Sequence, residues 1–284
     1  IAIRTPSLNY SSPTNFAQAY IRGIGSNFLL SGLESSVATY IDGAYIQRQA
    51  GAVLDVVDVA SIDVLKGPQG TLYGRNATGG AILMQTVDPK DALEAFVSGD
   101  YGSYDYHLVQ AMVNLPVSDT VAVRISGQSG ARDGFIDNTG VPGGSDLGAT
   151  RTDLIRTKVG WTPSSNFNAI YTFEHNNRAS NAYGQHQRFT DTRCLACVFF
   201  GVVPAQGFYD ATTGENPTNT VKYDAHTLRL NALVGDFELS SISSYRDQDV
   251  GNYNEQDNTS APLANAIVTE DGPTFTQDFY ARSN

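Results

Sequence analysis

Few residues in this chain have the type and spacing that catalysis or metal binding demands. The four histidines, His107, His175, His186 and His226, fall on strand or loop patterns. None stands beside a serine elbow or at metal-ligand spacing, so the chain reads as not an enzyme, with no metal centre and no cofactor. The two cysteines form one motif, Cys194-Leu195-Ala196-Cys197. A redox dithiol would need βαβ surroundings, and none is visible. A zinc site would need two further ligands, and His175 and His186 lie off finger spacing. A disulfide pinning a loop in an oxidising compartment needs only the two cysteines. That reading is favoured over free thiols, with metal and redox roles behind it.

A second candidate is the glycine-rich stretch from Ser61 to Thr86, SIDVLKGPQGTLYGRNATGGAILMQT. Ile62, Val64 and Leu65 begin a strand pattern that stops at Gly67-Pro68, a turn signal because proline fixes its own φ and restricts the residue before it. Glycines recur at Gly70, Gly74, Gly79 and Gly80, and the apolar run Ala81–Met84 closes the unit. A phosphate cradle would need G-x-x-x-x-G-K-[ST] and a following helix, and neither is present. Arg22-Gly23-Ile24-Gly25 is half of a dinucleotide fingerprint at most.

The stretch resembles the signature of the plug domain of TonB-dependent outer-membrane receptors. The match runs Lys66-Gly67-Pro68-Gln69-Gly70-Thr71-Leu72-Tyr73-Gly74-Arg75-Asn76-Ala77-Thr78-Gly79-Gly80-Ala81-Ile82. Two shorter pieces precede it in the family's order, Tyr20–Gly25 and Thr39–Tyr45. The resemblance covers about residues 15–90. It implies a small mixed α/β plug domain followed by antiparallel strands of a transmembrane β-barrel, which in plugged transporters has about 22 strands.

The rest of the chain is read to fit that frame. Residues 1–20 are loop-like, Tyr20–Gly25 is a short strand with Arg22 inside it, and Val37–Tyr45 is a strand pair about the turn dipeptide Asp42-Gly43. Val53, Val56, Val57 and Ala60 share a face, which predicts one or two helical turns over 53–60. Beyond Lys90 apolar and polar residues alternate. Val109, Ala111, Val113 and Leu115 oppose Gln110 and Asn114; Ile155, Val159 and Trp161 oppose Arg156 and Lys158; Phe167, Ala169, Tyr171 and Phe173 oppose Asn168, Thr172 and Glu174. Short turns at Pro116–Asp119, Pro163–Asn166 and Gly235-Asp236 alternate with long loops near 133–150, 176–219 and 251–272. That asymmetry marks an outer-membrane barrel with short periplasmic turns and long outer loops. About eight strands of about 9–11 residues are expected, with Trp161, Phe167, Tyr171 and Phe237 at interfacial girdles. A soluble β-sandwich also alternates and is the competing fold.

Residues 1–90 carry equal numbers of basic and acidic side chains, and residues 91–284 carry the whole net charge of −11. This places a boundary near Asp88-Pro89, between a plug over 1–90 and barrel strands over 91–284. The acidity argues against nucleic acid. The chain opens on Ile1 without a leader pattern and stops within a strand pattern, so it is read as part of a longer protein whose signal peptide, TonB-contacting segment and later strands lie outside it.

The resemblance further implies a monomeric receptor of the bacterial outer membrane that imports a scarce ligand by energised plug movement, driven by the periplasmic TonB complex. Ferric siderophores come first among its ligands, with cobalamin, haem and glycans as alternatives; a non-transporting structural or adhesion barrel is the competing function. Ser26, Asn27, Tyr45, Gln47, Arg48 and Gln49 are candidates for the ligand-facing apex. Arg22 and Arg75 are candidates for a latch, because plug arginines in the family pair with barrel glutamates and a buried unpaired charge is costly.

Overall fold

The computed structural model describes residues 5–12, 16–26, 34–48, 50–52, 55–141, 146–181, 194–203, 205, 207–257, 259–261 and 263–283. Short strands come first: β1 (Leu8–Ser11), β2 (Gln18–Ile21), β3 (Ile24–Gly25), β4 (Val37–Ile41) and β5 (Ala44–Tyr45), then a 3-10 turn at Ala50–Ala52. Next come β6 (Val59–Lys66), the single helical turn α1 (Gly70–Tyr73) and β7 (Gly80–Thr86). Long strands follow: β8 (Glu94–Gly102), β9 (Tyr106–Ser118), β10 (Val121–Arg132), β12 (Thr150–Ser164), β13 (Phe167–Ser180), β15 (Thr218–Val234), β16 (Phe237–Glu255) and β17 (Asn265–Ser283). Two-residue β11 (Asp137–Asn138), the helix α2 (Leu195–Phe200) and two-residue β14 (Asp210–Ala211) lie in the loops between them.

The first part is built from two small sheets. β1, β2 and β3 form one; β5, β4, β7 and β6 form the other in that order, with β4 and β7 parallel. Leu8, Ala19, Ile21, Val37 and Ile82 pack as one buried cluster joining them. Two hairpins share one turn geometry. Arg22 and Gly23 have φ of 52° and 82°, and Asp42 and Gly43 have 51° and 84°; paired left-handed residues suit the twist of adjoining strands. Tyr20–Gly25 is therefore a hairpin with Arg22 in its bend, not the single strand expected from sequence. The helical turns expected over 53–60 are also absent from the described part. Residues 55–58 run extended or bent, and Val59 and Ala60 begin β6. Pairing of β6 with β7 outweighs the local helical periodicity. Val53 lies outside the described residues. Gly80 is held at φ 147°, where a Cβ would collide with the Leu65 carbonyl, so close strand packing requires glycine there.

The eight long strands form one antiparallel sheet in sequential order from β8 to β17. Its polarity is inverted relative to a soluble protein. Val109, Ile155, Val159, Trp161, Tyr171, Phe275 and Phe279 are exposed on the convex side, while Arg124, Arg156, Lys158, Glu174 and Arg246 are buried on the concave side that meets the first domain. No two-sheet sandwich forms from these strands. Trp161 meets Phe167 edge-on at 5.7 Å and Phe237 is also exposed, consistent with the lower girdle. A second aromatic row runs straight across the ladder, Phe173 opposite His226, His226 opposite Tyr245 and Tyr245 opposite Phe275.

The strands exceed the expected length. β15 has 17 residues, and β16 and β17 have 19 each. The turns between β9 and β10, β12 and β13, and β15 and β16 are correspondingly tight, at 119–120, 165–166 and 235–236. Extra length lies on the long-loop side, where outward residues change to His175, Asp224, Lys222, Asp247 and Asp249. Ladder hydrogen bonds need no lipid, so pairing continues into water once side chains on both faces are polar. The β8–β9 connection on that same side is short, at residues 103–105, an exception to strict alternation.

The outer loops are stitched together. β11 and β14 pair in parallel, Asn138 Nδ2 donates to Thr213 Oγ1 at 2.8 Å, and Thr213 N donates to Asn138 Oδ1 at 3.1 Å. Cys194 and Cys197 are disulfide-bonded, and Cys194 packs against Ala261 of the loop after β16. Three long loops thus form one cap.

Candidate functional site

The chemistry of this chain concentrates where the small first domain meets the concave wall. Residues 55–58 run along that wall, and the tail of β7 lies beside it. Each presents carboxylates to cations that strand alternation points inward. Arg124 on β10 holds Asp58 with two bonds, Nε at 2.7 Å and Nη2 at 2.6 Å, and its Nη1 reaches Glu94 at 3.1 Å. Lys158 on β12 lies 2.9 Å from Asp42 and 3.1 Å from Asp88. Its Nζ also donates to the Thr86 carbonyl at 3.3 Å. Arg229 on β15 pairs with the other Asp88 oxygen. Arg178 and Asn176 on β13 hold Asp55 at 2.9 and 2.8 Å. Arg156 donates to the Val57 carbonyl at 3.1 Å while pairing with Glu174 at 2.6 Å, and Gln110 donates to the Val56 carbonyl at 3.1 Å.

Asp42 and Asp58 both have φ near 50°. The turn that Asp42-Gly43 makes aims the carboxylate at Thr86, whose N–H and hydroxyl donate at 2.8 and 2.6 Å. Burial raises the Asp42 carboxyl, but the Lys158 charge and the Thr86 bonds outweigh it and hold the group below its ordinary value. At Asp55 burial wins over Arg178 and Asn176, and the carboxyl lies above its ordinary value. The seam therefore contains one carboxylate whose charge is secured and one whose charge is only partly compensated. A buried pair of this kind is weak evidence for net stability, but removing one partner strands a buried charge.

The expected site residues distribute differently. Arg48, read from sequence as ligand-facing, is ion-paired with Glu270 on β17. Arg75, read as a latch, meets Glu34 of its own domain at 3.3 Å and stays two-thirds exposed. Arg22 is exposed in its hairpin bend. Neither Arg22 nor Arg75 has an ion pair with the wall among the described residues. Tyr45 accepts from Asn76 at 2.9 Å and packs on Tyr40, and Gln47 reaches Glu34 at 3.5 Å. Ser26 is half-buried; Asn27 and Gln49 lie outside the described residues. The signature residues shape the crossing. Gly67 N–H donates to the Gly79 carbonyl at 3.1 Å, and Gly79 N–H to Ser36 at 2.9 Å. Gly70 opens α1 and Gly74 closes it with φ 68°. The Tyr73 carbonyl accepts from Tyr40 at 2.7 Å. Lys66 ends β6 before Pro68.

Sequence reasoning missed Asp42, Asp55, Asp58, Asp88, Glu34 and Glu270. A signal existed for some of them. Arginines and lysines on the inward face of strands need partners; wall carboxylates such as Glu94 and Glu174 serve some of them, and the first domain supplies others.

Comparison with known proteins places these features in context. Residues 2–81 match the family model described as TonB-dependent Receptor Plug Domain. The pesticin receptor of Yersinia pestis is 30% identical over 163 residues, which is 56% of this chain and 23% of that protein. The catecholate siderophore receptor Fiu of Escherichia coli is 34% identical over 103 residues, 36% of this chain and 13% of that protein. The chain thus spans less than a quarter of the length of these curated relatives. Among solved structures, the ferric yersiniabactin uptake receptor FyuA from Yersinia pestis superposes with a TM-score of 0.74 at 21% identity, covering 89% of this chain and 38% of that one. That superposition concerns the fold alone, and it includes both the small domain and the wall.

Proposed function

We propose, from the premise that this chain belongs to the TonB-dependent outer-membrane receptors, that the whole protein imports a ferric siderophore across the outer membrane by energised movement of its plug. One observation carries the proposal. The plug sits against the wall mainly through discrete ion pairs, Asp58 with Arg124, Asp42 and Asp88 with Lys158, Asp55 with Arg178 and Arg48 with Glu270, beside one small apolar cluster in which Phe16 and Ala50 meet Val221, Tyr223, Ala225 and Val250. Such contacts can be broken and remade without exposing a large apolar surface to water. A stopper meant only to seal would gain more from apolar packing, since replacing buried ion pairs by apolar residues is often stabilising.

On this reading the periplasmic TonB complex supplies the pull. Ser26, Tyr45 and Gln47 lie toward the ligand, with Asn27 and Gln49 assigned the same role from the sequence alone, and Arg48 holds the plug to β17. Arg75 acts through Glu34, keeping the signature crossing tied to the segment before β4. The receptor names borne by the relatives support iron-chelate import over cobalamin, haem or glycan.

The test is uptake of radiolabelled ferric siderophores by cells expressing the full-length protein, with and without an uncoupler of the proton-motive force. Accumulation that stops on uncoupling is expected. Accumulation that survives uncoupling would mean a passive barrel.

A further inference from the structure

We infer that the wall above the plug carries a carboxamide-lined subsite on β16, built for a neutral, multiply hydrogen-bonding chelate rather than an anionic one. The inference rests on the receptor reading and names the ligand class for it.

Asn252 is 2% exposed, and among the described residues neither its Nδ2 nor its Oδ1 has a hydrogen-bond partner. Asn254, two residues further along the same face, is 9% exposed with Oδ1 unpartnered among those residues. Gln248, on the same face, is 3% exposed with Nε2 likewise unpartnered among them. Directly across the ladder from Asn252 stands Asn219, fully buried. Unpartnered buried amides are uncommon, and each calls for an explanation. Here three belong to one strand face.

Their position suits ligand capture. Val250, between Gln248 and Asn252, packs with Phe16 and Ala50 of the plug. Glu270, opposite Val250, takes the plug's Arg48. Beyond Asn254 begins the loop that joins the outer cap through Ala261. Asn252 and Asn254 therefore lie in the interval between plug and cap, and Gln248 lies on the near side of Val250, level with the plug.

Its chemistry selects against charge. A carboxamide offers one acceptor and two donors with no net charge. On the described strands, every inward-facing arginine or lysine except Arg132 lies within 4.0 Å of a carboxylate. Arg132 is on β10, four strands from β16, engaged with the Phe135 ring and the Gly148 carbonyl. No uncompensated positive charge on these strands therefore stands beside the amide row to receive an anion. A chelate whose ligands cancel the ferric charge can satisfy donors and acceptors in turn.

The test measures binding of two probes to the full-length protein in isolated outer membranes: a neutral ferric trihydroxamate and a trianionic ferric triscatecholate. The wild-type protein should prefer the neutral probe. Asn252→Leu, which keeps volume and removes both amide atoms, should weaken it by roughly tenfold, the scale of a lost hydrogen bond. Asn252→Asp, close in shape, should weaken it as well and provides the reading should the leucine variant fold poorly. Unchanged neutral-probe binding in a folded variant would overturn the inference, because water alone would then occupy the amides. Tighter binding and energised uptake of the triscatecholate would overturn it while leaving the receptor reading intact. Energised uptake of neither probe would overturn both.

Discussion

Arg124→Met tests whether the seam is held by specific ion pairs. The guanidinium and the Asp58 carboxylate are each at most 5% exposed and bonded twice, at 2.6 and 2.7 Å. Removing the cation leaves Asp58 buried beside the wall without a partner, at a cost of about 3–5 kcal/mol. Glu94 loses a bond too, but it retains Lys90 at 3.0 Å. For a domain the size of the plug, urea lowers stability by about 1 kcal/mol per molar, so the plug's unfolding midpoint should fall by roughly 3 M at the lower bound of that cost. The assay follows the reactivity of a cysteine placed at the buried Ala81 as urea is raised, in the full-length protein within outer membranes. The double variant Arg124→Met, Asp58→Leu should recover most of the loss, because replacing both partners removes the stranded charge. A single-variant shift below about 0.5 M, or a double variant as unstable as the single, would refute the reasoning about buried charge.

Other expectations follow from the same geometry. Asp42→Asn and Asp55→Asn should differ in their pH dependence. The Asp42 carboxyl is held low, so its contribution is present above the ordinary carboxyl range and lost as pH falls through its depressed folded value; the asparagine variant should lack that acid-side loss in plug denaturation. The Asp55 carboxyl is held high, so the wild-type plug should lose stability as pH rises from the ordinary carboxyl range through its raised value, a slope Asp55→Asn removes. Arg48→Met should loosen the plug from β17 and increase entry of large antibiotics in a cell-killing assay, with Glu270→Gln giving the same phenotype; wild-type exclusion by both variants would deny the pair a holding role. Gly80→Ala should destabilise the plug by about 1–3 kcal/mol from backbone strain alone, with the Leu65 carbonyl clash adding to it, read as a lowered urea midpoint.

The sequence by itself determined the plug signature, the inside-out alternation of the wall and the rhythm of tight turns and long loops. These are local properties. A Gly-Pro step, an Asp-Gly turn or a two-residue period depends on residues within a few positions of each other, and the chain carries them whatever it later packs against. Even so, local reading failed at residues 55–60, which run extended or bent into β6 and its pairing with β7, and at Arg22, a bend residue taken for part of a strand.

Only the tertiary structure decided which charges meet. Arg124 and Asp58 are 66 residues apart, and Arg48 and Glu270 are 222 apart. Nothing near either residue specifies the other; the match arises when the plug settles against a wall whose strand register fixes where each cation emerges. That is why the sequence could not name Glu270 as the partner of Arg48, nor Glu34 as the partner that Arg75 finds inside the plug. The alternation fixes that a cation points inward, but what it touches depends on the summed geometry of a curved sheet and a separate domain, a quantity no short window of sequence contains.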